Sequence, residues 1–409
     1  MNVVNEVLDF KDVVDLDSSI DFNEIELEQV FFGDKLSREF QVIARNQVEQ
    51  AFLEGCQRVC LTSPTGSGKT IMAGLIMMSS VIRKLCGVSN NLDSNGNYIE
   101  KIRVLFVAHR NRLLQQAIRT YAAGIGIELI TQSCFSEIPQ GVLDRGWHIT
   151  ILDEAHHESM ITIQYQLMNL TQSSQHTLGF IPLLGLTATP DRADGCLIKF
   201  DKFITAITRD EAVKKGYLAE TELYTFVDST QYANKVGIIS DIISSYQEEI
   251  GRGIMFVSTR EEAKALEEYI NKNTSFMSIN VSETTDSILN DVLDQFSNGL
   301  WDIIINCDRL GEGVDVIGCD SVFIGRTVGS YPLLNQYIGR AARPDSKCKV
   351  FCLVNPLTDN LDPTVVVGTP QKHMFNYKRG GKWVSKLFNI TTEIVDDVFS
   401  GYTTNVMVR

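Results

Sequence analysis

The segment SPTGSGKT, residues 63–70, combines glycines, a lysine and a hydroxyl in the order that phosphate binding requires. It follows an apolar strand and opens a predicted helix, so its backbone N–H groups and the helix N-terminus face one point. Lys69 is expected to reach the β- and γ-phosphates of a nucleotide, and the Thr70 hydroxyl is expected to ligate Mg²⁺. A glycine and serine turn followed by chance by Lys-Thr is the plainer alternative, and the strand–loop–helix context disfavours it.

A second segment, ILDEAHHE, also ends an apolar strand, and it offers five potential metal ligands: Asp153, Glu154, His156, His157 and Glu158. Zinc ligands on a helix would be spaced as H-x-x-x-H, whereas neighbouring histidines on an extended chain point in opposite directions. A nucleotide site instead needs one acidic residue to hold Mg²⁺ and one carboxylate to orient the attacking water. We therefore assign these roles to Asp153 and Glu154, with His156 coupling the site to neighbouring segments.

From about residue 33, short apolar strands alternate with helices, a pattern typical of a parallel sheet covered on both faces. The rhythm resets near GYLAE and then repeats. The sequence therefore predicts an α/β protein with two tandem doubly wound domains, at residues 33–215 and 225–358, joined by a linker at 216–224. Residues 1–32 are expected to form an acidic extension or small subdomain, and residues 359–409 a C-terminal tail.

Composition narrows the class of protein. The chain has 409 residues, 44% of them hydrophobic, and a formal net charge of −14. Such a charge argues against broad nucleic-acid binding unless basic groups cluster locally. The nine cysteines form no C-x-x-C pair, and we expect buried free thiols. No apolar run reaches membrane-spanning length and the N-terminus is acidic, so we expect a soluble, cytoplasmic protein without a membrane partner.

Over about residues 34–358 the chain resembles superfamily 2 helicases and translocases with a DEAH motif. The further segments that carry this resemblance, in the order found in the family, are REFQ (38–41), VAHRNRLLQQ (107–116), TQS (131–133), LTATP (186–190), MFVSTREEA (255–263), INCDRLGEGVDV (305–316) and QYIGRAARP (336–344). Each motif alone is weak evidence, whereas the ordered set is specific. The resemblance implies two RecA-like domains that bind ATP and Mg²⁺ in the cleft between them.

The resemblance also implies a role for individual residues. ATP is expected to contact Arg38, Gln41, Thr65, Gly66, Ser67, Gly68, Lys69, Thr70, Gly313 and Asp315. The amide of Gln41 can pair with an adenine edge, and Thr187 and Thr189 would link hydrolysis to nucleic-acid binding. The expected catalytic set is Lys69, Asp153, Glu154, His156, Gln336, Arg340 and Arg343. Arg340 and Arg343 would act as arginine fingers, and their spacing predicts one helix face shared with Gln336.

Contacts to a DNA backbone are expected at Arg110, Thr131, Gln132, Thr259 and Asn306. For each of these strand-end residues, the alternative is a polar group that caps a helix. The tail segment 366–386 is basic and carries interleaved aromatics, so Lys378 and Arg379 are also candidates for DNA contact. A helical tail that packs on the second domain through its aromatics remains an alternative.

DEAH-type RNA helicases usually carry a long hairpin before QYIGRAARP, whereas here the connection is only VIGCDSVFIGRTVGSYPLLN. The run from GEGVD onwards resembles the DNA-directed branch that includes phage UvsW-type, XPB-like and restriction-translocase motors. We expect a monomeric ATP-dependent DNA helicase or translocase that acts on forked or branched DNA in replication, recombination or repair. An RNA helicase of the DEAH type, or an ATPase that translocates on DNA without unwinding it, are the alternatives.

Overall fold

We analysed a computed structural model of the chain. It describes residues 31–32, 35–122, 126–139, 141, 146–157, 160, 163, 180–190, 199–228, 233–310, 316–344, 347–355, 359, 363–367, 370–379 and 381–387. Almost the whole predicted acidic extension, 1–32, lies outside this part of the chain.

The first domain is built on a six-stranded parallel sheet in the order β5-β4-β6-β7-β3-β8. The strands are β3 (Arg58–Thr62), β4 (Ile102–Ala108), β5 (Ile127–Ser133), β6 (Ile149–Asp153), β7 (Leu183–Thr187) and β8 (Lys202–Thr205). A short antiparallel pair, β1 (Phe31–Phe32) and β2 (Lys35–Leu36), precedes them. The helices are α1 (Glu39–Leu53), α2 (Lys69–Met78), α3 (Ser80–Leu85), α4 (Asn111–Ala122) and α5 (Arg209–Lys214).

The apolar strands of the first domain bury both faces of its sheet. Val59 and Leu61 lie in one buried cluster with the α1 and α2 side chains, whereas Cys60, between them, belongs to the cluster on the other face. Strand side chains alternate between faces, so an unbroken apolar run places residues in two cores. The carboxyl ends of the strands therefore meet at one edge, where polar residues can collect.

The second domain carries an eight-stranded sheet in the order β11-β12-β10-β13-β14-β9-β15-β16. Its strands are β9 (Glu222–Val227), β10 (Gly253–Val257), β11 (Ser278–Asn280), β12 (Ile303–Asn306), β13 (Ser321–Gly325), β14 (Lys349–Val354), β15 (Lys372–Arg379) and β16 (Lys382–Leu387). Its helices are α6 (Lys235–Ser245), α7 (Gln247–Ile250), α8 (Arg260–Asn273), α9 (Asp286–Ser297), α10 (Tyr331–Ile338) and α11 (Thr364–Val367). All neighbouring strands are parallel except β15 and β16. The two sheets confirm the α/β prediction with tandem doubly wound domains.

Two boundaries differ from the sequence-based expectation. Strand β9 begins at Glu222, inside the expected linker, and pairs with β14 in the middle of the second sheet. The expected tail also joins this sheet, because β15 pairs with β9 over Lys372–Asn376 and then turns back as β16. The second domain thus includes strands from both sides of its predicted limits, since backbone pairing can recruit a segment whose own sequence signal is weak.

The cysteine prediction is confirmed for the described part of the chain. All eight described cysteines are free, and six of them are buried. Burial raises the pKa of Cys319 to about 12, so this thiol stays protonated at neutral pH. Within the described residues, no helix is both long and apolar enough to cross a membrane.

Candidate active site

The phosphate-binding loop lies between β3 and α2, as the sequence predicts. Gly66 and Gly68 have φ values of 87° and 91°, in the left-handed region that glycine occupies without steric cost. Ser67 Oγ donates to Pro64 O at 2.7 Å and closes the loop. Lys69 Nζ lies across it, 3.2 Å from Ser63 O. The loop is therefore held in a curled form, with the lysine and the N-terminus of α2 on the same side.

Gln41 supports this loop from below. Its side chain is 4% exposed, and its Nε2 donates to Ser67 O at 3.1 Å. Its Oε1 accepts from Arg38 N at 2.9 Å, which caps the start of α1. A Cβ at position 68 would lie 2.7 Å from Gln41 Nε2, so the glycine is required for this close approach. The amide thus holds the phosphate loop to α1, while its contact with an adenine edge stays a prediction.

The two carboxylates predicted to act on the nucleotide stand at the end of β6. Asp153 is the last residue of the strand, and the φ of Glu154 is 52°. This left-handed conformation costs a non-glycine residue about 1–2 kcal/mol, and such strain is concentrated at functional sites. Glu154 Oε2 is buried and accepts no hydrogen bond from the described part of the chain. It is therefore available to a molecule bound beside it.

Asp153 and Thr70, the two residues predicted to bind Mg²⁺, both lie near Tyr121. Tyr121 Oη donates to Thr70 O at 3.0 Å, at the N-terminus of α2. Burial, and then the negative charge of Asp153, raise the pKa of Tyr121 well above its usual value. The Asp153 carboxylate is thus near the same tyrosine that holds Thr70. A carboxylate and a hydroxyl are hard oxygen donors, the ligand types that Mg²⁺ prefers.

His156 connects these carboxylates to the next strand. Its Nδ1 lies 2.9 Å from Thr187 Oγ1 at the end of β7 and 3.5 Å from Glu154 Oε2. Thr187 Oγ1 in turn donates to Thr189 O at 2.7 Å. His156 and Thr187 are both buried. The geometry therefore gives His156, Thr187 and Thr189 the linked positions that the sequence predicts, and it ties the β7 loop to Glu154.

His109 and His157 form a contact that the sequence analysis did not predict. The rings of His109 and His157 stack with centroids 4.0 Å apart and an interplanar angle of 22°. His109 directly follows β4, and His157 follows the exit of β6. These strands are neighbours, with Val107 opposite Leu152. The sequence does show a histidine just beyond the end of each of these strands. To predict the stack from it, however, one must know that the two strands are neighbours in the sheet.

The second domain reaches the phosphate loop through the turn after α10. A Cβ at Gly339 would lie 2.4 Å from Thr65 Cγ2, so the glycine backbone packs directly on the loop. The predicted helix through Arg343 is wrong, because α10 ends at Ile338 and Arg340 begins a tight turn by donating its N–H to Tyr337 O. The two arginines and Gln336 consequently do not share one helix face. The turn nevertheless places Arg340 directly after Gly339, the residue that packs on the phosphate loop.

The residues expected to contact DNA have diverse environments. Arg110 is exposed beyond β4, Thr131 is half-buried on β5, and Thr259 is exposed. The Thr259 hydroxyl accepts from Glu262 N and caps α8, as its alternative assignment proposed. Asn306 is fully buried, and its Nδ2 donates to Met255 O at 3.1 Å. A phosphate cannot reach this side chain, so its assignment as a DNA contact is wrong.

Gln132 is also directed into the protein. It is 8% exposed, and its Nε2 lies within hydrogen-bonding distance of four oxygen atoms of Ser133, Ser136 and Glu137. The amide holds the loop after β5 rather than facing a bound strand, so its assignment as a DNA contact is wrong as well.

The tail forms a β-hairpin. The alternative that it is a helix is therefore wrong, but the expected packing of its aromatic side chains on the second domain is confirmed. Trp383 packs edge-on against Phe226, with centroids 5.2 Å apart. Lys378 forms an ion pair of 2.6 Å with Asp241 and also lies over the Trp383 ring. Arg379 is exposed at the hairpin tip.

Gly313 and Asp315, expected at the ATP site, lie outside the described residues.

A phosphate loop in one parallel-sheet domain, and an arginine-bearing turn of a second that packs on it, define a tandem RecA-like architecture. Two family models match the chain. "Type III restriction enzyme, res subunit" matches residues 35–136, and "Helicase conserved C-terminal domain" matches residues 234–345.

Comparison with curated proteins finds two informative relatives. The chain is 23% identical over 350 residues to "Putative ATP-dependent helicase IRC3" of Saccharomyces cerevisiae, a match over 75% of this chain and 49% of that protein. It is 25% identical over 353 residues to a "51.5 kDa protein" of a Lactococcus phage, over 80% of this chain and 71% of that protein. The chain thus spans about half the length of the yeast relative.

Among solved structures, a fragment of "a putative HsdR subunit of a type I restriction enzyme from Vibrio vulnificus YJ016" aligns with a TM-score of 0.61 and 20% identity. The alignment covers 85% of this chain and 70% of that one. The type ISP restriction-modification enzyme LlaBIII, solved bound to DNA, aligns with a TM-score of 0.56 and 17% identity, over 86% of this chain and 30% of that one. These structures share the fold. The chain is thus similar in sequence to a helicase C-terminal domain, to a restriction-enzyme subunit and to the yeast protein named "Putative ATP-dependent helicase IRC3".

Proposed function

We propose that the chain is an ATP-dependent DNA helicase or translocase, of the branch that resembles UvsW-type and XPB-like motors, and that it remodels forked or branched DNA. The observation that carries this proposal is the packing of Gly339 on Thr65. This contact brings the Arg340 turn of one domain to the phosphate loop of the other. A nucleotide bound at the loop would therefore lie between groups from both domains, and its hydrolysis would change their separation.

The residues at the loop divide the chemistry among them. Lys69 and the N-terminus of α2 would neutralise the phosphate charge, and Arg340 and Arg343 would stabilise the charge that develops during transfer. Glu154 would orient a water molecule for attack on the γ-phosphate, since its buried Oε2 has no hydrogen-bond donor in the described part of the chain. Thr70 and Asp153 would hold Mg²⁺, which supplies charge neutralisation at the phosphates when bound.

The coupling of hydrolysis to a nucleic acid is proposed to run through three histidines. His156 joins Glu154 to Thr187, so a change at the γ-phosphate would reach the β7 loop. The stack of His157 on His109 extends the same segment towards Arg110, the exposed basic residue beyond β4. Arg110 would contact a backbone phosphate without regard to sequence.

The preference for DNA over RNA rests on the connection before α10. Its described residues, 316–330, form β13 and flanking turns, and β13 is an internal strand between β10 and β14. This agrees with the short connection expected for the DNA-directed branch. A net charge of −14 further favours an enzyme that binds nucleic acid through a local basic surface rather than its whole face.

The test is ATP hydrolysis by the wild type and by Glu154→Gln, measured without nucleic acid and with single-stranded DNA, duplex, forks, four-way junctions and RNA. Forks or junctions should stimulate the wild type most, and Glu154→Gln should lose at least a hundredfold of the stimulated kcat because the water is no longer oriented. Glu268→Gln, which neutralises an exposed carboxylate on α8 of the second domain, serves as the matched control and should keep wild-type activity.

The other outcomes separate the alternatives. Stimulation by RNA alone would assign the chain to the RNA helicases. DNA-stimulated hydrolysis without strand separation in a fork-unwinding assay would indicate a translocating ATPase. An absence of stimulated hydrolysis in the wild type would contradict the motor function itself.

A further inference from the structure

The loop after β5 presents an aromatic ring to solvent at the carboxyl edge of the first sheet. The Phe135 side chain is 71% exposed, more than the other exposed large hydrophobic side chains in the described part of the chain. Its neighbour Cys134 is buried and donates its N–H to Ala108 O, which extends the pairing of β5 with β4. The ring therefore projects from a segment fixed to the sheet, immediately beside the residues that follow β4.

The loop that carries Phe135 is preorganised. The amide of Gln132 is surrounded by carbonyl and hydroxyl oxygens of Ser133, Ser136 and Glu137, at 2.9–3.3 Å. The Phe135 N–H donates to Ser133 Oγ at 3.3 Å, and Ser136 N donates to Ser133 O. A buried side chain is thus used to hold a loop whose outermost group is apolar. Such a ring would normally gain about 1.5–3 kcal/mol from burial, which this geometry forgoes.

The chemistry of the loop selects a base rather than a phosphate as its ligand. Residues 133–137, SCFSE, contain no lysine or arginine, and Glu137 would repel a backbone phosphate. The exposed group is an aromatic ring, 71% accessible to solvent. Arg110, on the adjacent strand end, supplies the positive charge that a backbone needs. A cation beside a rigid aromatic platform is the combination that binds a single strand, with its phosphates on one group and a base on the other.

We propose that Phe135 stacks on an unpaired base of the nucleic-acid strand that Arg110 holds. This inference rests on the proposed function, because it requires that a strand bind at the carboxyl edge of the first sheet. It adds a contact that responds to the base itself, whereas the contacts assigned above respond to phosphates.

The test compares two ligands that differ only in their bases. Binding of fluorescein-labelled oligo-dT, and of an abasic oligonucleotide of equal length, is measured by anisotropy for the wild type, Phe135→Ala and Phe135→Tyr. Phe135→Ala should weaken oligo-dT binding about 5- to 100-fold and leave abasic binding unchanged, because only the first ligand can stack. Phe135→Tyr keeps the ring and should bind both ligands like the wild type.

The control is Ile99→Ala, which removes another large side chain, 68% exposed, that precedes β4 and so lies at the opposite edge of the sheet. It should not alter binding of either ligand. Equal weakening of both ligands by Phe135→Ala, or no weakening of oligo-dT, would overturn the stacking inference while the proposed function stands. If the wild type binds neither oligonucleotide, both the inference and the proposed function are refuted.

Discussion

The packing of Gly339 on Thr65 makes a strong prediction for the variant Gly339→Ala. Gly339 has φ −59° and ψ −16°, a conformation that alanine adopts readily. Within its own domain the added Cβ would lie 3.1 Å from Asn335 O, a tight contact that opposes the gain from restricting the unfolded chain. The stability of that domain should therefore change by less than about 1 kcal/mol in either direction. The added Cβ would, however, lie 2.4 Å from Thr65 Cγ2 and 2.5 Å from Thr65 Cβ.

Non-bonded carbons normally approach to about 3.5–4.0 Å, so the two surfaces would have to separate by about 1 Å or more. Overpacking of this kind costs about 1–3 kcal/mol. Since 1.4 kcal/mol corresponds to a factor of ten, the contact between the domains should become about 5- to 150-fold less populated. If hydrolysis requires that contact, nucleic-acid-stimulated kcat should fall by a similar factor, while the thermal midpoint changes little.

The matched control is Gly329→Ala, because a Cβ at Gly329 in the same domain meets nothing within 4 Å. Steady-state ATPase kinetics and thermal melts are measured for both variants and for Gly339→Ala combined with Thr65→Ser. The serine removes Cγ2 and so relieves one of the two overlaps, which should restore part of kcat. Wild-type kcat in Gly339→Ala would refute the reasoning, as would an equal loss in Gly329→Ala.

Three further predictions concern the ion pair of Asp201 with Arg58 at the start of β3, the histidine stack and the hairpin tip. Asp201→Asn should lower the free energy of unfolding at pH 7 by about 1–2 kcal/mol. Burial opposes ionisation of Asp201, but hydrogen bonds from Arg58 outweigh it and lower the pKa of Asp201. In chemical denaturation the difference from the wild type should therefore be complete above about pH 4 and be lost as pH falls through this lowered pKa. A double-mutant cycle with His109→Ala and His157→Ala should give a coupling of about 0.5–1.5 kcal/mol in DNA-stimulated kcat; zero coupling would contradict a role for the stack. Arg379→Ala should weaken DNA binding and lower its salt slope by about 1; an unchanged slope would remove the hairpin tip from the DNA interface.

The sequence located the phosphate loop and the DEAH segment because each is a strand end with a fixed local chemistry. Glycines that adopt φ near 90° and carboxylates that follow an apolar strand are specified by neighbouring residues alone. The coupling of His156 to Thr187 was predictable for the same reason, once the family order of motifs was recognised. Local sequence patterns were therefore enough to predict those parts of the candidate site that are formed by a single strand end.

The errors arose where the environment of a polar side chain is set by tertiary packing. Asn306 and Gln132 stand at strand ends like Thr131, but their amides point inward and bond to other segments. The tail forms a hairpin whose first strand, β15, pairs with β9. This pairing is long-range, so the local hydrophobic pattern of the tail does not reveal it. Likewise the helix after Ser330 ends at Ile338, although the sequence pattern continues further.

The strand order of the first sheet explains how distant elements of the site are linked. The phosphate loop follows β3, Thr187 ends β7, the carboxylates end β6, Arg110 follows β4 and Phe135 follows β5, in the spatial order β3-β7-β6-β4-β5. With strands about 4.8 Å apart, this row spans about 19 Å.

Three contacts in that row join neighbouring strand ends. His156 bonds to Thr187 between β6 and β7, His157 stacks on His109 between β6 and β4, and Cys134 bonds to Ala108 between β5 and β4. Among these links, the stack is the one whose removal leaves the residues proposed for hydrolysis and those proposed for strand binding chemically intact. Loss of the His157 ring should therefore reduce stimulation by DNA more than it reduces either basal hydrolysis or DNA affinity, a pattern that neither a defective nucleotide site nor a defective DNA site would produce.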